Sequence, residues 1–516
     1  GGTWNKIGID LDGEGSGDEF GFSVSLSSNG KRVMAGGPLY ESDDRGVVKV
    51  YEETGGTWNQ VFSNIVEGAG DKMGRVVSMS SDGNVIVAGS SLATSQDGKV
   101  VVYTCVVFEN RLMDTTSNDQ ALTPLSTIIP GTNTFQITKR GQNILGEADG
   151  DVSGRSVSIS SDGTRVAIGG EYNTNNTNSY SGHVRVFYDN SGTWEQVGDD
   201  IDGEAAYDYS GRSVSISSDG TRLAIGAYGN DGAGGAVNST GHVRVYEEVS
   251  GVWTQVGGDI DGEAAGDMSG YSVSISSDGT RVAIGAPYND AEPSAGHPSG
   301  MSAAGHVRVF YDNSGTWEQV GTDIDGVAAD DRTGSSVSLS SDGTRMAIGS
   351  PRQTDANLRS QVRMYEWSNG DWAQMGQGID CEAPGDLSGY SLSMSSDGTR
   401  VAIGAINNDG TDTGASTSYT LGKGQVRIFE YDSGTWTQVG SDIDGDAVGD
   451  QLGFSVSLSS DGTRVAVGAP GQVLLRAGTG GGDTGYVRIY YESSGSWIQL
   501  GSDINGEASG DYSGYS

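Results

Sequence analysis

One pattern returns along this chain, and its return decides what class of fold is open to it. SVSLSSDGTRVAIGAP, or a close variant, begins at Ser23, Val76, Ser156, Ser213, Ser272, Ser336, Ser391 and Ser455. Successive starts lie 53 to 80 residues apart, which makes eight units of about sixty residues, and a ninth opens at Ser516. Length alone would suggest two to four ordinary domains for 516 residues, but a fixed period overrides that arithmetic. The whole of 1–516 reads as a single repeat domain, with units starting near 17, 70, 150, 207, 266, 330, 385 and 449. Since the repeat is already under way at Gly1, the expectation is a mature product or a piece of a longer chain.

Each unit carries the same four strand signals. SVSIS at Ser272–Ser276 alternates polar and apolar residues, the period of a half-buried strand. SSDGT then turns the chain at Asp-Gly, and RVAIGAP at Arg281–Pro287 is a second, more buried strand. After a variable loop, GHVRVFY at Gly305–Tyr311 alternates again, and TWEQVG at Thr316–Gly321 is the fourth strand. Helical periodicity is absent. Four short antiparallel strands in tandem predict an all-β fold, a β-propeller of four-stranded blades. Eight blades are expected, with seven closing a ring and one left over as the alternative. The aromatic of the fourth strand (Trp4, Trp58, Trp194, Trp253, Trp317, Trp372, Trp436 and Trp497, with Phe135 in unit two) is expected to pack between neighbouring blades.

Composition narrows the partners. Glycine is abundant at 85 residues against 9 prolines, as tight turns between strands require. The net charge is 30 − 68 = −38, which repels nucleic acid and anionic membranes and draws cations. No apolar run is long enough to span a membrane, and no signal peptide is read. Cys105 and Cys381 lie far apart without zinc spacing and are expected to be unpaired thiols. Sequons at Asn175 and Asn238 point toward secretion.

The runs at Phe20–Pro38 and Gly270–Pro287 resemble the FG-GAP repeat of integrin α-subunit β-propellers. The glycine of the Phe-Gly pair matches Gly21, Gly74, Gly154, Gly211, Gly270, Gly334, Gly389 and Gly453. Gly-Ala-Pro is intact at Gly285–Pro287 and Gly468–Pro470, and altered elsewhere. The resemblance covers nearly the whole chain and implies a surface protein with protein or glycan partners. One departure matters: where calcium-binding members carry a DxDxDG loop, this chain has SSDGTR, too short to wrap an ion. The GTWTQVGxDIDGEAAGD pattern is also similar to repeats of secreted and surface proteins.

An acidic loop links the fourth strand of each unit to the next. Its best copies are Asp10–Asp18, Asp200–Asp208, Asp259–Asp267, Asp442–Asp450 and Asp503–Asp511. The candidate metal ligands are Asp10, Asp12, Glu14, Asp18, Asp200, Asp202, Glu204, Asp208, Asp259, Asp261, Glu263, Asp267, Asp442, Asp444, Asp446, Asp450, Asp503, Glu507 and Asp511. Closely spaced carboxylates on a Gly-bent loop suit calcium, the one candidate cofactor. Other copies are broken: 64–71 keeps only Glu67 and Asp71, and Val327, Gly378 and Cys381 replace expected positions. The competing reading is a plain connector whose last Asp accepts hydrogen bonds from turn N–H groups. Both readings stay open on the sequence.

His183, His242 and His306 share one repeat position and read as structural, and His297 lies in a long loop. The arginines of TRVAIG (Arg165, Arg222, Arg281, Arg345, Arg400, Arg464) and HVRV (Arg185, Arg244, Arg308) are expected to pair with the acidic loops. No catalytic or cofactor-binding residue stands out from the repeat, so no enzyme activity is expected. The first functional expectation is an extracellular or cell-surface structural or adhesion propeller, with possible self-assembly into a filament or matrix. The alternative is a carbohydrate-binding lectin or polysaccharide-active enzyme using the long-loop face, with Tyr288 and Tyr419 as candidates.

Overall fold

The computed structural model describes residues 151–470 except 175–178, 191, 233–238, 291–300, 352–359 and 410–421, and, outside that stretch, mainly strands lying within 23–148 and 486–505. It contains eight antiparallel sheets arranged as the blades of a propeller, and no α-helix is found among the described residues. In blade five the strands run Ser272–Ile275, Arg281–Ala286, His306–Asp312 and Trp317–Gln319 from inside to outside. A fifth, two-residue strand, Ile324–Asp325, belongs to the acidic connector and folds back onto the start of the third strand, setting Asp325 opposite His306. The same fold-back recurs in every blade.

The ring closes with eight blades. Each of the eight apolar clusters spans one joint between neighbours, including Leu26, Val33, Ala35, Val47 and Tyr51 of blade one against Ala466, Val487 and Ile489 of blade eight. The seven-plus-one alternative is thereby excluded. Burial on both sides explains the second strand: five of the six residues of Arg281–Ala286 are buried, because one blade packs on each face of the sheet. Among the described residues, the fourth-strand tryptophans from Trp194 to Trp497 pack toward the preceding blade, as expected. Trp194 lies among Val85, Val87, Val100 and Val102 of blade two. The indole N–H groups of Trp317, Trp372 and Trp436 donate to Val256, Val320 and Met375 carbonyls one blade back, at 2.7 to 2.9 Å.

Two glycine positions of the repeat meet across the joints. Gly169, Gly226, Gly285, Gly349 and Gly404, near the end of the second strand, lie against the carbonyls of Gly211, Gly270, Gly334, Gly389 and Gly453 of the next blade. The latter five hold φ between +85° and +88°, a conformation glycine adopts without penalty. A first-strand serine completes the contact: Ser272 Oγ donates to Gly334 O at 2.9 Å, and Ser156, Ser213, Ser336 and Ser391 do the same one joint on at 2.7 to 2.9 Å.

Antiparallel order makes the two faces of the ring unlike. The SSDGT turns and the turns between strands three and four lie on one face. The loops between strands two and three, and the acidic connectors, lie on the other. On the turn face Asp278 Oδ1 accepts from Ser276 Oγ, Thr280 N and Thr280 Oγ1 at 2.6, 3.0 and 2.9 Å. Backbone bonds between serines, Ser277 N to Ser341 O at 2.9 Å among them, step from blade to blade around that face. Asp278→Ala should cost about 1 kcal/mol, read as a lower urea midpoint at unchanged slope; a midpoint within error of the parent would remove this turn from the account.

Candidate functional site

The connector face gathers the variable loops between strands two and three and the acidic connectors. Its most distinctive feature is an aromatic ladder across blades three, four and five. Tyr180 stacks on Tyr209 (6.3 Å, 13°), Tyr209 on Tyr228 (5.2 Å, 9°), and Tyr228 meets Tyr271 edge-on at 6.0 Å. Tyr172 and Tyr207 flank the ladder at 5.5 to 6.4 Å. Tyr172, Tyr180 and Tyr207 are exposed, Tyr207 by 51 %. At the base Glu171, buried, holds Arg155 at 3.0 Å and Arg212 at 3.8 Å, and the Arg212 guanidinium lies 5.3 Å over the Tyr271 ring. Burial, reinforced by Glu171, pushes the Tyr228 hydroxyl up to about 12, so it stays a neutral hydrogen-bond donor at neutral pH.

The ladder was legible only as departures from the repeat. Where the connector into blade five reads EAAGDMSG, the one into blade four reads EAAYDYSG, which supplies Tyr207 and Tyr209. Tyr228 stands where blade five has Pro287, and Glu171 occupies that place in blade three. Of the two tyrosines singled out from sequence, Tyr288 instead carries the Arg332 guanidinium over its ring at 4.6 Å, and Tyr419 lies outside the described residues.

The acidic connectors are spread over two blades rather than closed on themselves. Their last aspartates are buried and accept from the backbone: Asp208 Oδ2 from Glu204 N and Ala205 N at 2.9 and 2.8 Å, Asp267 from Glu263 N and Ala264 N at 3.2 and 2.8 Å, and Asp450 from Asp446 N and Ala447 N at 3.0 and 2.8 Å. This is the connector role anticipated from sequence. The first aspartates are oriented by a fourth-strand glutamine, whose Nε2 donates to Asp200, Asp259 and Asp442 Oδ1 at 2.6 to 2.7 Å. Asp202, Asp261 and Asp444 follow in the short fold-back strands, and burial first, with the neighbouring first aspartate next or close behind, raises their carboxyls. Asp10, Asp12, Glu14, Asp18, Asp503, Glu507 and Asp511 lie outside the described residues.

The remaining carboxylates gather around the repeated histidine. Glu147, His183 and Asp200 form one cluster, Glu204, His242 and Asp259 a second, and Glu263, His306 and Asp323 a third. In each, the glutamate comes from the connector before the blade, the histidine from the third strand, and the aspartate from the connector after it. Among the described residues no three carboxylates of a single connector converge in this way. Burial, then the neighbouring arginine, lowers all three histidines to about 4, so the rings are neutral at pH 7. Sequence reasoning named Asp200, Glu204, Asp259 and Glu263 but grouped them by loop. It missed Glu147, Asp323 and the histidines, because the partners are contributed by two successive connectors.

The arginines divide between the two faces. Those of HVRV meet the connector glutamates, Arg244 to Glu204 at 3.7 Å and Arg308 to Glu263 at 3.6 Å, as expected. Those of TRVAIG do not. Arg222 pairs on the turn face with Asp312 at 2.7 Å, Arg165 with Glu248 at 3.0 Å and Arg345 with Glu366 at 2.8 Å, carboxylates of third strands in the same or the next blade, while Arg281 donates to Gly343 O at 3.0 Å and lies over the Tyr311 and Trp367 rings. The second strand starts on that face, so its arginine is a strand length away from the connectors.

No family model matches the chain, and no curated protein matches it in sequence. Solved structures show what it is similar to. The Sqt1 propeller of Chaetomium thermophilum, solved bound to the N-terminus of the ribosomal protein L10, has a TM-score of 0.54 at 15 % identity, covering 90 % of this chain and 97 % of that one. A putative 6-phosphogluconolactonase from Bacteroides uniformis aligns with a TM-score of 0.44 at 13 % identity, covering 81 % and 97 % of the two chains. The periplasmic gluconolactonase of Pseudomonas aeruginosa gives 0.42 at 16 % identity, covering 73 % and 93 %. At these identities the likeness is one of fold. It nevertheless corrects one expectation: propellers named as lactonases stand among the similar structures, so the absence of enzyme activity expected from sequence is withdrawn. Among the described residues no helix is long and apolar enough to cross a membrane.

Proposed function

We propose that this propeller is an extracellular adhesion module whose connector face binds a neutral glycan. The tyrosine ladder carries the reading. Tyrosine presents a flat apolar ring and a polar rim, which matches a pyranose with its C–H face and its surrounding hydroxyls. Tyr172, Tyr180 and Tyr207 offer such rings to solvent, on a rigid scaffold where loops commonly hold binding residues. Arg155 and Arg212, held by the buried Glu171, supply donors at the edge of the ladder. The charge of −38 disfavours anionic polysaccharides and leaves neutral sugars as the fitting class. The sequons and the acidic surface support placement outside the cell.

A glycan array followed by calorimetry on the best hit tests this. Tyr207→Ala and Tyr180→Ala should each weaken binding about tenfold, or about 1.4 kcal/mol, without shifting the melting temperature. An array on which the parent protein binds no neutral glycan, or binding untouched by both substitutions, would sink the reading.

A further inference from the structure

We propose that the three Glu–His–Asp clusters of blades three, four and five are binding sites for a divalent transition cation of the Zn2+ class. The observation that points to a ligand is the imidazole itself. His183, His242 and His306 are each 1 % exposed, and neither ring nitrogen of any of the three has a hydrogen-bond partner. Leaving a buried polar group unsatisfied costs free energy, and here the same unpaired imidazole recurs in three successive blades. In each, Nδ1 faces carboxylate oxygens beyond hydrogen-bond reach. His183 Nδ1 stands 3.7 Å from Glu147 and 4.0 Å from Asp200, His242 Nδ1 4.0 Å from Asp259, and His306 Nδ1 3.6 Å from Glu263.

Those separations suit an ion between the atoms. Three donors on a tetrahedral ion with bonds of about 2.0–2.1 Å stand about 3.3 Å apart. The ligand atoms of each cluster lie within 4.8 Å of one another, so shifts of side chains alone would close the shell. The oxygens are already allotted. Gln196, Gln255 and Gln319 hold Oδ1 of Asp200, Asp259 and Asp323 at 2.5 to 2.7 Å. In the first two clusters this leaves Oδ2 to face the imidazole, the kind of outer support that orients metal ligands. Arg185 and Arg308 approach Oε1 of Glu147 and Glu263, while Oε2 faces the ring. The glutamate side chains are 44 to 50 % exposed, which gives an ion a path in and leaves room for water as a further ligand.

The chain also contains the cation-free alternative. In blades six, seven and eight the histidine position holds Gln361, Gln425 and Tyr486. Each donates to the carboxylates around it: Gln361 Nε2 to Asp380 at 2.7 Å, Gln425 Nε2 to Glu382 at 2.8 Å and Asp444 at 3.1 Å, and Tyr486 OH to Asp450 at 3.0 Å. A donor side chain therefore satisfies this pocket without an ion. A neutral imidazole offers a lone pair instead, and one nitrogen with two carboxylates selects a borderline transition ion over calcium, which takes six to eight oxygens.

Equilibrium dialysis of the untagged chain against Zn2+, with metal analysis, tests the assignment; Co2+ absorption reports nitrogen ligation. Gln replaces His without loss of the blade in blades six and seven, so His183→Gln, His242→Gln and His306→Gln are variants expected to fold, which circular dichroism confirms. Glu263→Gln provides an independent loss of one site. The expected result is three equivalents of Zn2+ in the parent, one fewer for each histidine replaced and none in the triple variant. Zn2+ binding that is absent from the parent, or equal in parent and triple variant, overturns the proposal. Ca2+ bound equally by both, with no histidine-dependent Zn2+, would assign the carboxylates alone and likewise overturn it.

Discussion

Gly285→Ala is expected to be among the most damaging single-methyl changes in this chain. A Cβ at Gly285 would overlap the carbonyl oxygen of Gly334 in the next blade and press on Ser272 Oγ and Gly334 C. The obstacle is backbone, so no side chain can swing aside. Relief requires blades five and six to part where Val307, Ile348 and Met346 are packed between them. Overpacking of this kind costs about 1–3 kcal/mol, and loss of the Ser272 to Gly334 hydrogen bond adds about 1 kcal/mol. A loss of about 3 kcal/mol in the urea unfolding free energy is therefore expected. Gly258→Ala is the control, since a Cβ there meets nothing within 4 Å, and it should stay within about 0.5 kcal/mol of the parent. Equal stability of the two variants would refute the account of the joint.

That joint shows how much of the fold the sequence carried. The two glycines stand out in every repeat, and the spacing correctly separates four strands. What a linear reading does not reveal is that Gly285 and Gly334 touch each other across blades. The period gave blade number; only the cluster joining Tyr51 to Val487 and Ile489 shows that eight units close the ring. The connector aspartates were legible as turn anchors at Asp208, Asp267 and Asp450, where the partners are three and four residues away. The carboxylates that face His183 and His242 were not legible as their partners, because Glu147 and Asp200 lie 36 residues before and 17 after His183, and Glu204 and Asp259 38 before and 17 after His242. The ladder failed for the opposite reason: consensus reading averages away Tyr207, Tyr209 and Tyr228, the residues that break the pattern.

The three buried histidines also predict how stability responds to acid. Burial and then Arg185 depress His183 to about 4, against the weaker pull of Asp200 and Asp151; His242 stands likewise between Arg244 and Asp259, and His306 between Arg308 and Asp323. The glutamates Glu147, Glu204 and Glu263 complete each surrounding. An unfolded histidine titrates near 6.5, so between about pH 6.5 and 4 the unfolded chain binds more protons than the folded one. Stability from these groups is thus full above 6.5 and is lost as pH falls toward 4. Moving from pH 7 to 4.5 in chelator should cost about 2 kcal/mol per histidine, roughly 6 kcal/mol for the three. The connector glutamates act in the other direction. Burial is the main cause holding their carboxyls above the ordinary value, so they favour the folded state as they protonate, and they offset part of the loss at the acid end. Replacing His183, His242 and His306 together by glutamine removes the histidine contribution and leaves the carboxylates in place. The triple variant should therefore show a much flatter decline in unfolding free energy from pH 7 to 4.5 than the parent. Parallel declines would mean that the histidines take up their protons in the folded ring, as paired donors to the carboxylates around them.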